Sequence, residues 1–332
     1  MKEIDITQVG YDVELITEDG THYLLNDALQ SLEWEDQKNE IAQRATITVG
    51  NMAMGNTWLM AIAKINCLIR IYGRWGEGRQ LLFDGAIWEW QYVSATDKEL
   101  TIIAYDNMKR LQQSQDIQYY SAGMATQAII ADICGKWGIP LDYKWSQNLM
   151  HEKKAFSGEN ISDMIIDLLE EVRKKTGEKY VIRFQDGNLQ ILDYGTNATV
   201  YKFDSNNTIS TNDKININNL VTRVKVIGKE DGEGRASVDA IVDGDTQFGV
   251  LQEILRRDTD KSVQAARDVA NTLIAEKGKP EEVIQIKVPD LPFMRKGDRV
   301  DVEAGNLIGF FYVEGVSHSG TTRQMTLNLA RG

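Results

Sequence analysis

The chain has 332 residues, of which 42% are hydrophobic, four are proline and two are cysteine, and its formal net charge is −12. This length predicts two or three domains with a sizeable core, and the composition excludes a disordered or low-complexity chain. The negative charge argues against a specific nucleic-acid partner, because such binding relies on Lys and Arg at phosphates. An acidic surface either keeps the protein soluble or lines a channel through which a polyanion such as DNA passes without binding.

The N-terminus and the hydropathy pattern carry no targeting or membrane signal. The first residues, Met1 to Asp5, lack an apolar segment, and no apolar run approaches the roughly 20 residues of a membrane helix. We therefore expect synthesis in the cytoplasm without membrane insertion. Cys67 and Cys134 are expected to be free thiols, buried as small apolar groups.

Residues 1–115 predict an N-terminal β-barrel domain. Val13–Ile16 and Tyr23–Leu25 flank Glu18–Thr21, whose Glu-Asp-Gly-Thr sequence is typical of a hairpin turn. Short alternating segments follow at 29–34, 45–49, 67–72, 82–87 and 100–104. Strands this short and numerous are typical of barrels and sandwiches.

Residues 116–200 predict an α+β insert of two helices and a hairpin. The first helix is expected over 125–137, where Gly and Pro then end it, with its apolar face at Ala128, Ile129, Ile133 and Trp137. The second helix is expected to have Asn160 as its N-cap and to stop at Gly177. Its apolar residues recur at helical spacing: Ile161, Met164, Ile165, Leu168, Leu169 and Val172.

A hairpin completes the insert, and residues 201–332 predict a C-terminal β-barrel domain. The hairpin signal is Asp186-Gly187, which lies between two alternating segments. In the C-terminal domain we expect strands at 220–227, 236–242 and 248–255, with a polar loop after the first. A helix is expected at about 259–278, with one apolar face: Val263, Ala266, Val269, Ala270, Leu273 and Ile274.

The two ends of the chain carry the same pattern of strands. Cys67–Tyr72, Leu82–Ile87 and Leu100–Ala104 are matched by Asp298–Val302, Tyr312–Val316 and Met325–Ala330, and the glycines Gly85 and Gly315 align. The pattern predicts a mainly β fold with two related small antiparallel β barrels plus the helical and hairpin insert, although short alternating strands also resemble one another by chance. Three such chains in a ring would present six related domains.

The residue types that carry catalysis or bind metals are scattered. His22, His151 and His318 are far apart and lack a second ligand at metal spacing, and no serine or cysteine lies in a nucleophile motif. The cluster Gly73, Gly76 and Gly78 leads into another strand and predicts a turn rather than a phosphate loop. His318 is expected to be an ordinary turn or hydrogen-bonding residue. We predict no catalytic, cofactor-binding or metal-binding residue, and no enzymatic activity.

Three other interpretations stay open. The abundant carboxylates allow a glycosidase-type pair, because such a pair is defined by separation in space, so a cell-wall hydrolase is one alternative. Trp88 and Trp90 alternate on a strand, as in the stacking platform of a carbohydrate-binding β module. The loop 229–234 has oxygens suited to calcium but not the EF-hand spacing, which favours a flexible acidic loop.

The order of motifs in the C-terminal half resembles a known family. The motifs are Gln247–Gln252, a helix with Ala265, Ala266 and Ala270, Gly297-Asp298-x-Val300, Phe311–His318 and Met325–Leu329. Together they resemble the baseplate hub proteins of contractile phage tails, specifically the XkdQ/YqbQ group, which is related to the late control protein D family. The resemblance extends over essentially the whole chain. Phe248-Gly249 stands where the family usually has Tyr-Gly.

The resemblance implies a structural role in a phage tail or tail-like particle. Hubs of this family form a homotrimer at the end of the tail tube, and their paired β domains continue the hexameric tube. The other face carries the central spike, with baseplate wedge and LysM-containing tail proteins nearby. The chain is then expected to be made in the host cytoplasm and assembled into the baseplate. A tail-associated cell-wall hydrolase is the alternative in that setting.

Overall fold

The computed structural model of the protein describes residues 9–38, 40–75, 78–94, 98–230, 234–257 and 262–332. The chain packs as two compact units, Met1–Thr211 with Gln285–Gly332, and Asn212–Ile284. Within the described ranges, every helix is too short or too polar to cross a membrane.

Strands dominate the N-terminal part of the first unit, and helices occur mainly in the insert. The N-terminal elements are β1 (Gly10–Ile16), β2 (His22–Leu24), β3 (Leu29–Asp36), β4 (Arg44–Gly50), β5 (Ala53–Met54), β6 (Thr57–Trp58), α1 (Leu59–Ile62), β7 (Leu68–Arg74), β8 (Arg79–Val93) and β9 (Glu99–Tyr105). Helix α2 (Met108–Gln113) follows, just before the predicted insert. The insert contains β10 (Gln115–Tyr120), α3 (Thr126–Lys136), β11 (Leu141–Tyr143), β12 (Lys154–Asn160), α4 (Ile161–Thr176), β13 (Tyr180–Gln185) and β14 (Asn188–Asp193).

The remaining elements return to strands around the second unit. They are β15 (Tyr201–Asp204), β16 (Ser210–Asn216), β17 (Arg223–Glu230), β18 (Ala236–Asp243), β19 (Gln252–Arg256), α5 (Val263–Lys277), β20 (Glu281–Pro289), β21 (Arg299–Ala304), β22 (Leu307–Ser319) and β23 (Gln324–Arg331). The chain enters the second unit within β16 and leaves it within β20.

The N-terminal strands enclose one core because their apolar residues alternate with polar ones. Val13, Ile47, Ile69, Phe83 and Ile102 come from five different strands and are fully buried in the same cluster. The predicted hairpin near the N-terminus is confirmed, since β1 pairs antiparallel with β2. Each of these five strands buries one face, which fixes its register.

The insert forms the predicted helices and hairpin. All six predicted apolar residues of α4 are buried, and Gly177 ends the helix in the left-handed conformation at φ 79°. Asn160 is the N-cap residue, as predicted, although its side chain caps no backbone N–H and donates to Asp163 instead. The α3 face is shifted: Ala128 and Trp137 are exposed, and Ile130 is buried in their place.

The hairpin β13–β14 has the turn that Asp-Gly predicts. Asp186 and Gly187 have φ values of 51° and 78°, and their strands pair in antiparallel register from Tyr180↔Asp193 to Gln185↔Asn188. Two successive positive φ angles are those of a type I′ turn, which matches the twist of the strands.

The second unit is a three-stranded sheet covered by α5. The central strand β17 pairs antiparallel with β18 and parallel with β19, so the turn between β18 and β19 does not join a hairpin. Val224, Val226 and Ala240 pack against Ala266 and Ala270 of the helix. The predicted apolar face of α5 is wrong at Val269, which is exposed.

Several sequence predictions for the second unit differ at their edges. Strands β17 and β19 begin at Arg223 and Gln252, three and four residues later than expected. Residues 258–261, which include the predicted start of the helix, and residues 231–233 of the predicted polar loop lie outside the described residues.

Thirteen strands form one large sheet that contains both ends of the chain. Its order is β16-β20-β23-β22-β3-β4-β9-β8-β7-β1-β2, with β21 beside β22 and β15 beside β21. The mainly β fold class with an α+β insert is confirmed. The two predicted β halves share this sheet because β22 pairs with β3. The domain boundaries 1–115, 116–200 and 201–332 stay a prediction, since the insert packs in the same unit as both β ends.

The two ends have the same strand order. We call β1, β3, β4, β7, β8 and β9 the N-terminal copy, and β15, β16, β20, β21, β22 and β23 the C-terminal copy. Their sheet orders are β3-β4-β9-β8-β7-β1 and β16-β20-β23-β22-β21-β15, so the strands correspond one to one in chain order. One difference is that β1 pairs antiparallel with β7, whereas β15 pairs parallel with β21.

Strand register corrects the residue alignment of the repeat. In the N-terminal copy, Gly85 of β8 pairs with Ile69 of β7, and Phe83 pairs with Ile71. In the C-terminal copy, Phe311 of β22 pairs with Val300 of β21, and Gly309 pairs with Val302. A bulge follows Ile87 in β8 and Val313 in β22, so the structural equivalent of a β8 residue is 226 positions later in β22. Gly85 is therefore equivalent to Phe311, and its alignment with Gly315 is off by four residues.

Gly85→Ala is expected to lower the free energy of unfolding by about 1–3 kcal/mol. A Cβ at Gly85 would clash with the carbonyl oxygen of Tyr105 and the ring of Phe83, both held in the sheet. Urea unfolding measures the change. The matched control is Gly135→Ala in α3, where a Cβ meets open space and alanine favours the helix. Equal stability of the two variants would contradict the prediction.

Candidate interaction surfaces

A buried hydrogen-bonded cluster lies where the two copies join. His318 of β22 is opposite Trp34 of β3, and the two rings stack at 4.6 Å between centroids. The His318 Nδ1 lies 2.6 Å from Asp290 Oδ1, and its Nε2 lies 3.1 Å from the Met294 carbonyl oxygen. Tyr11 of β1 donates to the other oxygen of Asp290. His318 is thus a hydrogen-bonding residue, as predicted, although it lies within a strand and not after one.

A network of buried ion pairs joins the copies to the insert. Lys296 Nζ lies 2.9 Å from Asp36 Oδ1 at the end of β3 and also donates to the carbonyl oxygens of Gln37 and Glu40. Arg295 lies 3.2 Å from the same carboxylate. Burial opposes ionisation of Asp36, but the charges of Lys296 and Arg295 outweigh it and hold the pKa of Asp36 below its ordinary value.

The insert joins this network through Arg183 of β13. Its Nη2 lies 2.7 Å from Asp298 Oδ1, and its Nε donates to the Lys296 carbonyl oxygen. Asp298 also accepts the backbone N–H of Arg295. The segment 295–298 before β21 is therefore fixed by side chains from the N-terminal copy and from the insert.

Asp106 is a second buried carboxylate, at the junction between β9 and α2. It accepts the backbone N–H groups of Gln43 and Met108 at 3.0 and 2.9 Å. Burial raises the pKa of Asp106 to about 7, and these two hydrogen bonds and Arg295 offset the effect only in part.

Asp106→Asn is expected to become relatively more favourable as pH rises from 5 to 8. Folded Asp106 binds a proton up to about pH 7, whereas the unfolded carboxyl loses it near pH 4, so ionisation of this group destabilises the fold as pH rises. Asn removes this penalty, so the unfolding free energy of the variant relative to the wild type rises by at most about 1.4 kcal/mol per pH unit below pH 7. The altered hydrogen bonds of Asn add a cost that does not change with pH. Urea unfolding at several pH values measures it, with exposed Glu178→Gln as control. A pH-independent difference from the wild type would contradict it.

A cleft of about 900 Å³ lies beside this network in the first unit. Leu81 and Trp88 of β8, Phe184 of β13 and Phe293 line it, together with Arg183, Arg295, Asp106 and Asp298. Three of the carboxylates at the cleft are already engaged: Asp298 with Arg183, Asp106 with backbone N–H groups, and Asp84 with Arg70 at 3.3 Å. Such groups serve packing and shape more readily than acid–base chemistry.

Trp88 and Trp90 do not form a single platform. Trp88 has no partner in β9 because it is the extra residue of the bulge, and it contacts Tyr105 edge-on at 6.3 Å. Trp90 pairs with Ile102, whose side chain faces the core, whereas Tyr105 pairs with Ala86 on the opposite face. Both tryptophans are somewhat more than one-third exposed. The sequence predicted that Trp88 and Trp90 lie on one face of the strand. They do not, because the bulge after Ile87 moves the residues that follow it to the other face of the sheet.

The other residues considered from the sequence lie apart. His22 is exposed near Glu14 at 3.5 Å, and buried His151 contacts Thr126 at 2.9 Å and Glu171 at 3.2 Å. Gly73 lies near the end of β7 and Gly78 directly precedes β8, so the two glycines flank a turn between the strands, as predicted. Gly76 lies outside the described residues. In the described ranges, no three His, Cys, Asp or Glu residues are arranged to hold a metal ion.

The predicted burial of the cysteines is confirmed. Cys67 and Cys134 are free thiols with 2% and 1% exposure. Burial raises the pKa of Cys134 to about 12. A thiol held so strongly protonated is a poor nucleophile.

Sequence reasoning missed the ion-pair network entirely. Asp36 follows an ordinary strand, and Lys296 stands in a Lys-Gly-Asp turn that reads as solvent-exposed. The one available signal was Asp298 in the family-like Gly-Asp-x-Val motif, which the structure places against Arg183.

Comparisons with known proteins connect this fold to phage tails. The tail protein from Neisseria meningitidis MC58 is 14% identical, with 97% of each chain covered and a TM-score of 0.69. The 43 kDa tail protein of prophage MuSo2 from Shewanella oneidensis is 12% identical, with 98% of each chain covered and a TM-score of 0.69. The c3393 protein of E. coli, a component of the type VI secretion system, is 10% identical, covers 92% of this chain and 74% of its own, and has a TM-score of 0.53.

These structures establish a shared fold at low identity. Among curated proteins none matches this sequence. The family model described as YQBQ-like matches residues 32–330, which include the insert and most of both copies, though not β1. The chain therefore belongs to the YQBQ-like family.

Proposed function

We propose that the protein is a structural hub of a phage tail or tail-like particle, joining the tail tube to the central spike. The observation that carries the proposal is the matching strand order of the N-terminal and C-terminal copies. The family membership and the fold shared with two tail proteins support it. The c3393 protein, which has the same fold, is described as similar to the phage T4 tail proteins gp27 and gp5.

The duplicated fold suits a junction between rings of different symmetry. A homotrimer presents six copies, and six related surfaces match the six subunits of a hexameric tube. The trimer keeps threefold symmetry on its other face, where a trimeric spike binds. Baseplate wedge and LysM-containing tail proteins are further partners of the proposed hub. It is assembled into the baseplate after synthesis in the host cytoplasm.

The proposed role is non-enzymatic. Asp84, Asp106 and Asp298, which line the cleft, are paired with cations or backbone donors, which favours a rigid junction over hydrolysis. The acidic chain also suits a channel through which DNA passes without binding, since like charge repels the phosphates.

Co-expression with the tube and spike proteins of the same particle tests the hub. We expect a complex with three copies of this chain, measured by native mass spectrometry, and six copy densities facing the tube by electron microscopy. A monomeric chain in the absence of its partners does not contradict the proposal, because binding of the partners stabilises the assembly by mass action. A monomer that binds neither partner would overturn the proposal. Turnover of peptidoglycan by the purified chain at any pH from 4 to 8 would favour the hydrolase instead.

A further inference from the structure

We propose that strand β16 of one chain pairs with the free edge of β8 in a second copy of the chain. This contact would repeat, between chains, the pairing of β3 with β22 that joins the two copies within a chain. It rests on the proposed trimeric hub and names the strands that close its ring.

The template is the pairing of β22 with β3. Val316 to Ser319 of β22 pair antiparallel with Asp36 to Glu33 of β3. Under this contact Val316 is fully buried, and His318 is 2% exposed and stacked on Trp34. The β3 strand thus covers residues that would otherwise lie at an open sheet edge.

The equivalent half of β8 lacks such a cover. The shift of 226 positions makes Trp90 equivalent to Val316 and Val93 equivalent to Ser319. Residues 90–93 pair with β9 on one side, and β7 reaches only to Ala86. In the part of the chain that the structure describes, no strand pairs with their other side. Trp90 is 38% exposed and Val93 is 45% exposed.

The C-terminal equivalent of β3 is β16, which is an edge strand. It stands first in the sheet order, with β20 as its neighbour. Its residues are mostly exposed, Ile215 to 68%, whereas β3 buries Leu32 and Trp34. The accessible outer edge of such a strand, with apolar side chains beside it, is a template for pairing with another chain.

The two free edges complement each other in a head-to-tail ring. Within a chain, the sheet runs from β16 through β20, β23, β22, β3, β4 and β9 to β8. Adding the β16 of a second copy to β8 continues this sheet, and three chains close the path from β16 to β8 into a ring, so that neither of these two edges stays open. The occupant is a second copy, because the contact already exists inside the chain between equivalent strands.

Disulfide cross-linking of the full-length chain tests the interface. Gln91→Cys is combined in turn with Thr211→Cys, Asn212→Cys and Asp213→Cys, which scan the register of β16. The native cysteines are buried and stay in place. We expect one of these pairs to give disulfide-linked trimers on oxidation. Each single variant, and the control pair Gln91→Cys with Ile117→Cys on β10, should give none.

A backbone variant tests the pairing in a second way. The Ile209 N–H donates to the Lys287 carbonyl oxygen of β20, so alternate N–H groups, including that of Lys214, point to the free edge. Lys214→Pro removes one of these donors and is expected to weaken trimer formation at least tenfold, with an unchanged melting temperature. Lys214→Ala keeps the N–H and is expected to trimerise normally. Light scattering with and without the tube and spike proteins measures the trimer.

The outcomes separate the interface from the hub. A trimer that cross-links through β8 and β16 supports the interface. A trimer that forms without any of these cross-links, and that tolerates Lys214→Pro, overturns the interface but leaves the hub intact. Absence of a trimer with both partners present overturns the hub, and the interface with it. A cross-link from β8 to a tube or spike chain would assign this edge to that partner and overturn pairing between copies.

Discussion

Lys296→Met is expected to lower the free energy of unfolding by about 3–5 kcal/mol. The ammonium group of Lys296 lies 2.9 Å from Asp36 Oδ1, and both side chains are almost completely buried. Methionine fills a similar volume but leaves the Asp36 carboxylate with Arg295 alone, at 3.2 Å. It also removes the donor for the carbonyl oxygens of Gln37 and Glu40. Removing one member of a buried pair costs more than the pair contributes, because the remaining charge is desolvated.

Two variants control for other effects of the Lys296 substitution. The double variant Asp36→Asn with Lys296→Met removes both charges and is expected to recover part of the loss, as a double-mutant cycle would reveal. Lys202→Met breaks the exposed pair of Lys202 and Glu303 and should change the stability much less than Lys296→Met does. Chemical unfolding at pH 7 measures all three. A loss below 1 kcal/mol for Lys296→Met would show that the network is not a buried structural element.

Local patterns were sufficient to predict the insert and the class of the fold. The apolar spacing of α4 and the Asp186-Gly187 turn are determined by neighbouring residues, so both were found from the sequence. The repeat of three strands was also found, because alternation is visible in any strand. Its alignment was not, since the connection from β7 to β8 is longer than that from β21 to β22, and alternation alone does not show this difference.

The candidate surfaces depend on contacts between distant segments and leave little trace in the sequence. The Asp36 carboxylate receives Lys296 from 260 positions away, and nothing near either residue indicates burial. The sheet of the second unit could not be predicted for a similar reason. Strand β17 pairs in parallel with β19, and a hairpin signal indicates only antiparallel neighbours. Edge strands such as β16 are likewise recognised only when the order of the whole sheet is known.

Trp34→Ala is expected to lower the free energy of unfolding by about 3–5 kcal/mol and to loosen the joint between the two copies. The Trp34 ring is 2% exposed in the core of the N-terminal copy, where it contacts Tyr11 edge-on at 5.1 Å. It also stacks on His318 of the C-terminal copy. Alanine would leave a cavity in one copy and uncover the hydrogen-bonded cluster of the other.

The measurement must separate a general loss of stability from a loosened joint. Hydrogen exchange is expected to accelerate first at residues 290–294, because His318 and Tyr11 hold Asp290 and the Met294 carbonyl oxygen there. Leu168→Ala in α4 is the matched control: it also creates a buried cavity, but in the core of the insert, away from the joint. If both variants accelerate exchange equally at 290–294, the stack of Trp34 on His318 does not join the copies. Selective acceleration in Trp34→Ala would mean that one aromatic contact transmits rigidity between the N-terminal and C-terminal copies.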